Sequence, residues 1–257
     1  MAIVLGGDEI DAVLTVGPKL DTNGLVFYVD PAYKESLVTK RGVSLTEGTA
    51  ISSISTLLGD GRRVTFSAAT VPYYKSGNGG YLYTGLGTTQ NSYGVLSTEV
   101  VLGSTYTVDI WVIAQPGVGG KWEYGTYWLT GENAVPGGGG SGRNTILGIS
   151  GNAFVMENYA NFSQRVPSTE WTNVVGVATP TEVYYYVNGV YKGRALETYT
   201  TAGKPTPDIR LQLFGNFASY TVGSGDSSLG PVKVYNIALT AQEVLQNYNL
   251  IKGRYII

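Results

Sequence analysis

Gly230-Pro-Val-Lys-Val-Tyr-Asn-Ile-Ala-Leu-Thr-Ala-Gln-Glu-Val-Leu-Gln-Asn-Tyr248 joins two kinds of periodicity in one stretch. Residues 230–235 form a short β-prone run. Thr240 and Glu243 then stand three apart, the spacing of a capping box, in which each side chain satisfies a free backbone N–H of the other at a helix start. Leu239 lies just before the cap and Val244 at the fourth helical position, where the two would staple the entry of the chain. Val244, Leu245, Tyr248 and Ile251 fall on one helical face. The stretch predicts a last strand followed by one amphipathic helix that packs its apolar side on a sheet and ends before Gly253.

Upstream the signal is strand after strand. Tyr106-Thr-Val-Asp-Ile-Trp-Val-Ile113 places Tyr106, Val108, Ile110 and Val112 on one face, with Thr107, Asp109, Trp111 and Ile113 on the other. Glu182-Val-Tyr-Tyr-Tyr-Val187, Asn188-Gly189 and Val190-Tyr-Lys192 read as a hairpin, because both turn residues tolerate positive φ. In that hairpin Tyr184 and Tyr186 lie opposite Tyr185, so at least one tyrosine should reach the surface or a partner. Further short strands are expected at 25–29, 63–67, 81–83, 121–129, 145–149, 153–157, 171–178 and 209–214. Lys75-Ser-Gly-Asn-Gly-Gly80 reads as a turn, and Val135–Gly142, with four consecutive glycines, as a mobile loop.

Composition agrees. The 257 residues include 36 glycines and 20 tyrosines, with 14% charged. Many turns and many half-buried aromatic positions suit an all-β chain, and a chain of this length can form one β sandwich. No internal repeat or composition break marks a second large domain. Residues 1–22 have mixed character and read as an N-terminal arm or extra strand before a domain over 23–257.

The absences narrow the chemistry. There is no histidine and no cysteine, so imidazole or thiol catalysis, Cys/His zinc sites and disulfides are excluded. The net charge is −2, and the densest basic pairs are Lys40-Arg41 and Arg62-Arg63. Nucleic acid, which requires clustered Lys and Arg, is not an expected partner, nor is an anionic membrane surface. No run approaches a membrane span, and the first residues lack the basic and long apolar regions of a secretory signal.

Three segments carry a resemblance. They are Gly24-Leu-Val-Phe-Tyr-Val-Asp30, the stretch from Leu57-Leu-Gly-Asp-Gly61 through Pro72-Tyr73 to Asn78-Gly-Gly-Tyr-Leu-Tyr83, and the 230–248 segment. With Trp171 and Tyr186-Val-Asn-Gly189, they resemble the laminin-G-like branch of the concanavalin A-like lectin/glucanase superfamily, over roughly Gly24 to Tyr255. The chain departs from that pattern at Thr56, where members often carry Asp, and at Tyr83-Thr84-Gly85, which lacks an acidic residue. The resemblance implies a jelly-roll sandwich of two antiparallel sheets with one short C-terminal helix. It assigns Trp111 and Trp171 to packing. It also implies a glycan- or protein-binding module, of a kind found in tailed-phage virion proteins.

The candidate site residues follow. Trp122, Tyr124 and Trp128 share a face of the expected 121–129 strand and suit stacking on sugar rings, with core or subunit-interface packing as the other reading. Tyr73 and Tyr74 carry the same two readings. Asp30 before Pro31 is either a turn former or an oxygen ligand for calcium, and no other cofactor is expected. Glu9 and Asp11 resemble part of a retaining glucanase signature, but the third carboxylate position is Leu14, so no catalytic residue is assigned.

The expected function is that of a non-catalytic structural or decorating protein at a phage virion surface, made without a signal peptide. It would contact other virion proteins or copies of itself, and host-surface carbohydrate. A free lectin or binding module is the alternative, and a glycoside hydrolase a third.

Overall fold

The structure, a computed structural model, describes residues 20–39, 43–66, 71–84, 94–114, 126–132, 143–150, 153–156, 160–162, 170–196, 208–213 and 227–255. In chain order the strands are β1 (Leu25–Val29), β2 (Leu37–Thr39), β3 (Ile51–Ser55), β4 (Arg63–Phe66), β5 (Tyr73–Lys75), β6 (Tyr81–Thr84), β7 (Gly94–Leu96), β8 (Val100–Val101) and β9 (Tyr106–Ala114). They continue as β10 (Thr126–Glu132), β11 (Arg143–Ser150), β12 (Ala153–Met156), β13 (Ala160–Phe162), β14 (Thr172–Ala178), β15 (Glu182–Val187), β16 (Val190–Leu196), β17 (Asp208–Leu213) and β18 (Ser227–Tyr235), followed by helix α1 (Ala241–Ile251).

All strand pairs described are antiparallel, in two sheets. The first runs β16-β15-β14-β9-β18-β6-β5, with β1 also on β18. The second runs β13-β12-β11-β10-β17-β7-β4-β3-β2, with β8 also on β17. An isolated bridge from Ala50 to Tyr73 ties the start of β3 to β5. This is the antiparallel, mostly β architecture with one C-terminal helix that the sequence predicts.

The pleat explains the core. Tyr106, Val108, Ile110 and Val112 of β9 point between the sheets with Phe27, Leu82, Val174, Tyr185 and Val232, where they meet Ile51, Ile54, Val64, Leu211 and Leu213. Burying each such side chain contributes about 1.5–3 kcal/mol. The other face of β9 is buried too, because the chain folds back over it. Val175, Val177, Tyr186 and Tyr235 pack with Leu239 and Val244, and Trp111 and Trp171 with Ile251 and Tyr255.

The capping box forms as the sequence predicts. Glu243 N donates to Thr240 Oγ1 at 3.3 Å, and Thr240 N donates to Glu243 Oε2 at 2.6 Å. Leu239 and Val244 are buried in one cluster. The helical face differs from expectation at Leu245, which is exposed; Asn247, a position on which the sequence reading is silent, is fully buried. Asn247 earns its burial by donating to the Tyr235 hydroxyl at 2.9 Å. The Asn188-Gly189 turn closes the β15–β16 hairpin with φ of 51° and 73°.

Gly230 is needed for close approach rather than for φ. A Cβ there would lie 2.6 Å from Tyr255 Oη. Its absence lets Tyr255 stack on Trp111 at 4.8 Å and pack in a tilted arrangement against Trp171 at 4.4 Å between ring centroids. Both tryptophans are therefore packing residues, as the resemblance implies.

Candidate functional site

Across the middle of the first sheet the outer face is covered by residues 236–255, so outward side chains remain accessible toward the two edges. At one edge lie β5 and β6. Tyr73 pairs directly with Tyr83, Tyr74 with Leu82 and Lys75 with Tyr81. Direct partners in an antiparallel pair share a face. Tyr74 and Leu82 therefore point into the core, and Tyr73, Lys75, Tyr81 and Tyr83 point outward.

The two adjacent tyrosines of the sequence reading thus separate. Tyr73 is 42% exposed, whereas Tyr74 is 1% exposed. Tyr74 is corrected from a candidate ligand residue to a core residue, since one step along a strand reverses the face. Tyr73 remains available, with the half-buried Tyr83 beside it. Lys75 Nζ lies 5.6 Å from the centroid of the Tyr83 ring, within range of cation–π attraction, and 3.1 Å from Glu47 Oε1.

Glu47 completes the polar rim. Its Oε2 accepts from Ser76 N at 2.7 Å and from Ser76 Oγ at 2.9 Å. Hydrogen bonds from the Ser76 backbone and side chain, then Lys75, hold its carboxyl below the usual range. Rings of Tyr73 and Tyr83 flanked by an ammonium, a carboxylate and a serine hydroxyl combine planar apolar surface with hydrogen-bonding groups. That pairing can stack on the C–H face of a sugar and bond its hydroxyls. Tyr83, Lys75 and Glu47 were missed in the sequence. The register of Tyr73-Tyr-Lys75 against Tyr81-Leu-Tyr83 was the signal for the first two.

Asp30 is corrected as well. It is 1% exposed, and both carboxylate oxygens are taken. Arg254 Nη1 donates to Oδ2 at 2.6 Å, Arg254 Nη2 to Oδ1 at 3.0 Å, and Ala32 N to Oδ1 at 3.0 Å. A guanidinium occupies the place that a calcium ion would need, and the Ala32 bond is that of a turn former. Among the described residues no cluster of three acidic side chains converges.

Trp122 and Tyr124 lie outside the described residues, as do Glu9 and Asp11, while Trp128 lies in β10. At the opposite edge, on β15 and β16, Tyr185 faces the core, and Tyr184 faces outward with its hydroxyl bonded to Glu182. Arg194 Nη1 binds the other Glu182 oxygen at 2.6 Å. Thr56, at one departure from the family pattern, donates to Asp60 Oδ1 at 2.5 Å. No helix among the described residues is long and apolar enough to cross a membrane.

Comparison with known proteins agrees with this architecture. A laminin-G-type family model, described as the concanavalin A-like lectin/glucanases superfamily, matches residues 87–245. No curated protein matches the chain. Among solved structures, the botulinum neurotoxin type G receptor binding domain aligns at TM-score 0.55 and 11% identity, over 88% of this chain and 51% of that one. A mutant of Trypanosoma rangeli sialidase displaying trans-sialidase activity aligns at 0.56 and 13%, over 90% of this chain and 33% of that one. Domain 4 of AbnA, a GH43 extracellular arabinanase from Geobacillus stearothermophilus, in complex with arabinotriose, aligns at 0.52 and 17%, over 87% of this chain and 98% of that domain. The chain thus spans about half of the neurotoxin domain and a third of the sialidase chain. At these identities the likeness is one of fold.

Proposed function

The chain belongs to the concanavalin A-like lectin/glucanases superfamily, and we propose that it is a non-catalytic structural or decorating protein of a phage virion surface that also contacts host-surface carbohydrate. The observation that carries the binding part is the outward pair Tyr73–Tyr83, one ring exposed and both rimmed by Lys75, Glu47 and Ser76. A flat aromatic face at a sheet edge suits a polymeric or multivalent ligand more than a small enclosed substrate.

The non-catalytic reading is supported by how several carboxylates among the described residues are spent. Asp30, Asp60, Asp109, Glu47 and Glu182 each pair with a cation of the same chain, and Glu243 caps α1. Glycoside hydrolysis needs two carboxyl groups facing each other across a cleft. The virion setting is supported by the sequence resemblance and by a chain without histidine or cysteine. Asp21, near the end of the proposed arm, donates its N–H to Asn247 Oδ1 of α1 at 3.5 Å.

Size-exclusion chromatography with light scattering, on the chain with and without residues 1–22, tests the assembly part. A multimer that requires the prefix supports a virion component with a docking arm. A monomer unaffected by the deletion favours the second reading, a free carbohydrate-binding module, to which the likeness over 98% of the arabinanase domain points.

A further inference from the structure

Lys233, Asp109 and Asn173 form a closed polar cluster on the three central strands β18, β9 and β14. Lys233 is 0% and Asp109 1% exposed, and the two sit directly opposite each other in the β9–β18 register. They lie on the outer side of the first sheet, beside the Tyr235 ring and the α1 packing that cover it. Lys233 Nζ is 2.6 Å from Asp109 Oδ2. Asn173 Nδ2 donates to Asp109 Oδ1 at 2.7 Å and to the Ile110 carbonyl at 3.1 Å. Asn173 Oδ1 is buried with no hydrogen-bond partner among the described residues.

A buried ion pair is a costly stabiliser, because desolvation offsets most of the Coulomb gain. The arrangement has a second property. An amine nitrogen in hydrogen-bond contact with one carboxyl oxygen is close enough to the carboxyl carbon that a side-chain rotation, which brings its lone pair over the carbon, reaches the attack geometry. A donor fixed on the other oxygen stands where negative charge would develop. We infer that Lys233 and Asp109 condense into an intramolecular amide that joins β9 to β18 covalently.

The step balances without any co-reactant. A proton moves along the hydrogen bond from Nζ to Oδ2, leaving an amine and a carboxylic acid. The Nζ lone pair attacks Cγ and charge collects on Oδ1, where Asn173 Nδ2 stabilises it as an oxyanion donor. A second Nζ proton passes to Oδ2, the Cγ–Oδ2 bond breaks, and one water leaves. Amide formation is disfavoured in bulk water. Here the reactants are held in place, at effective concentrations of order 10⁵ M or more for well-oriented groups, and the product water leaves a dry site. The amide keeps one N–H, and Asn173 Oδ1 is the free acceptor within the same cluster.

The cross-link would clamp the strand that leads into α1 onto the central strand, a useful lock for a protein exposed to force or proteases. The test is peptide mapping of the wild-type protein, purified folded, then denatured and digested with trypsin. The expected result is one branched peptide carrying both Asp109 and Lys233, lighter than the sum of its parts by one water, with no cleavage after Lys233. A Lys233→Arg variant, which keeps the charge but presents a guanidinium, is expected to give no branched peptide. Two separate wild-type peptides with normal cleavage after Lys233 would overturn the inference, as would a branched species that persists in the arginine variant. The wild-type result stands whether or not the variant folds.

Discussion

The Asp30 carboxylate and the Arg254 guanidinium, 224 positions apart in the chain, meet through two hydrogen bonds of 2.6 and 3.0 Å. This contact fastens the end of the first strand to the turn that follows the C-terminal helix. It lies beside the Tyr255 ring, which is wedged between Trp111 and Trp171. Arg254→Ala leaves a buried carboxylate with only Ala32 N and the Tyr28 hydroxyl as donors. Breaking a fully buried pair costs about 3–5 kcal/mol. Since Arg254 is itself partly exposed, a loss of about 2–3 kcal/mol is expected after allowing for screening. Urea unfolding checks this, and a double-mutant cycle with Asp30→Asn should show strong coupling between the two sites.

The capping box gives the helix a defined acid response. Hydrogen bonds from Thr240, backbone first and then hydroxyl, hold the Glu243 carboxyl below its usual range. A carboxyl lowered on folding contributes stability above its unfolded pKa of about 4.3 and loses it as pH falls through the folded value. Thr240→Ala should cost about 1 kcal/mol at neutral pH. Glu243→Gln should keep the box while removing this part of the acid sensitivity, as read from helical circular dichroism between neutral and acid pH.

The tyrosines set the alkaline limit. Burial, followed by the charge of Asp109, pushes the Tyr235 hydroxyl far up. Burial likewise raises Tyr255 and Tyr28, with Asp30 adding to each. A phenol raised on folding contributes stability that is complete below its unfolded pKa of about 10 and is lost as pH climbs above it. Tyr28, Tyr235 and Tyr255 should therefore ionise only as the fold opens, giving a cooperative step in phenolate absorbance that coincides with loss of sheet signal.

Much of the fold was legible where the local pattern and the tertiary structure agree. The alternation of 106–113 located β9 and its core face, the Asn188-Gly189 turn located a hairpin, and Thr240 with Glu243 located the helix start. The strands β2, β3, β5, β7, β8 and β13 were not read. Each is short, and Ile51-Ser-Ser-Ile-Ser55 buries Ile51 and Ile54 with a spacing that does not alternate. The site was legible only in part. Tyr73 and Tyr74 look alike in sequence, and only the pairing with β6 decides which one faces out. Asp30 could be read as a turn former, but its arginine partner lies at the far end of the chain. The burial of Asn247 was not read, because nothing local signals the Tyr235 hydroxyl above it.

The most direct test of carbohydrate contact through the β5–β6 face is a glycan array probed with the wild-type protein and with Tyr73→Ala. The exposed ring contributes little to stability, so the variant should fold normally by circular dichroism. Loss of an aromatic stacking contact of about 1.5 kcal/mol corresponds to roughly a tenfold drop in affinity for each site engaged. The account predicts that the wild-type protein binds a defined set of glycans and that the variant loses them by that factor or more. A folded variant that binds the same glycans undiminished, or a wild-type protein that binds none, would contradict it.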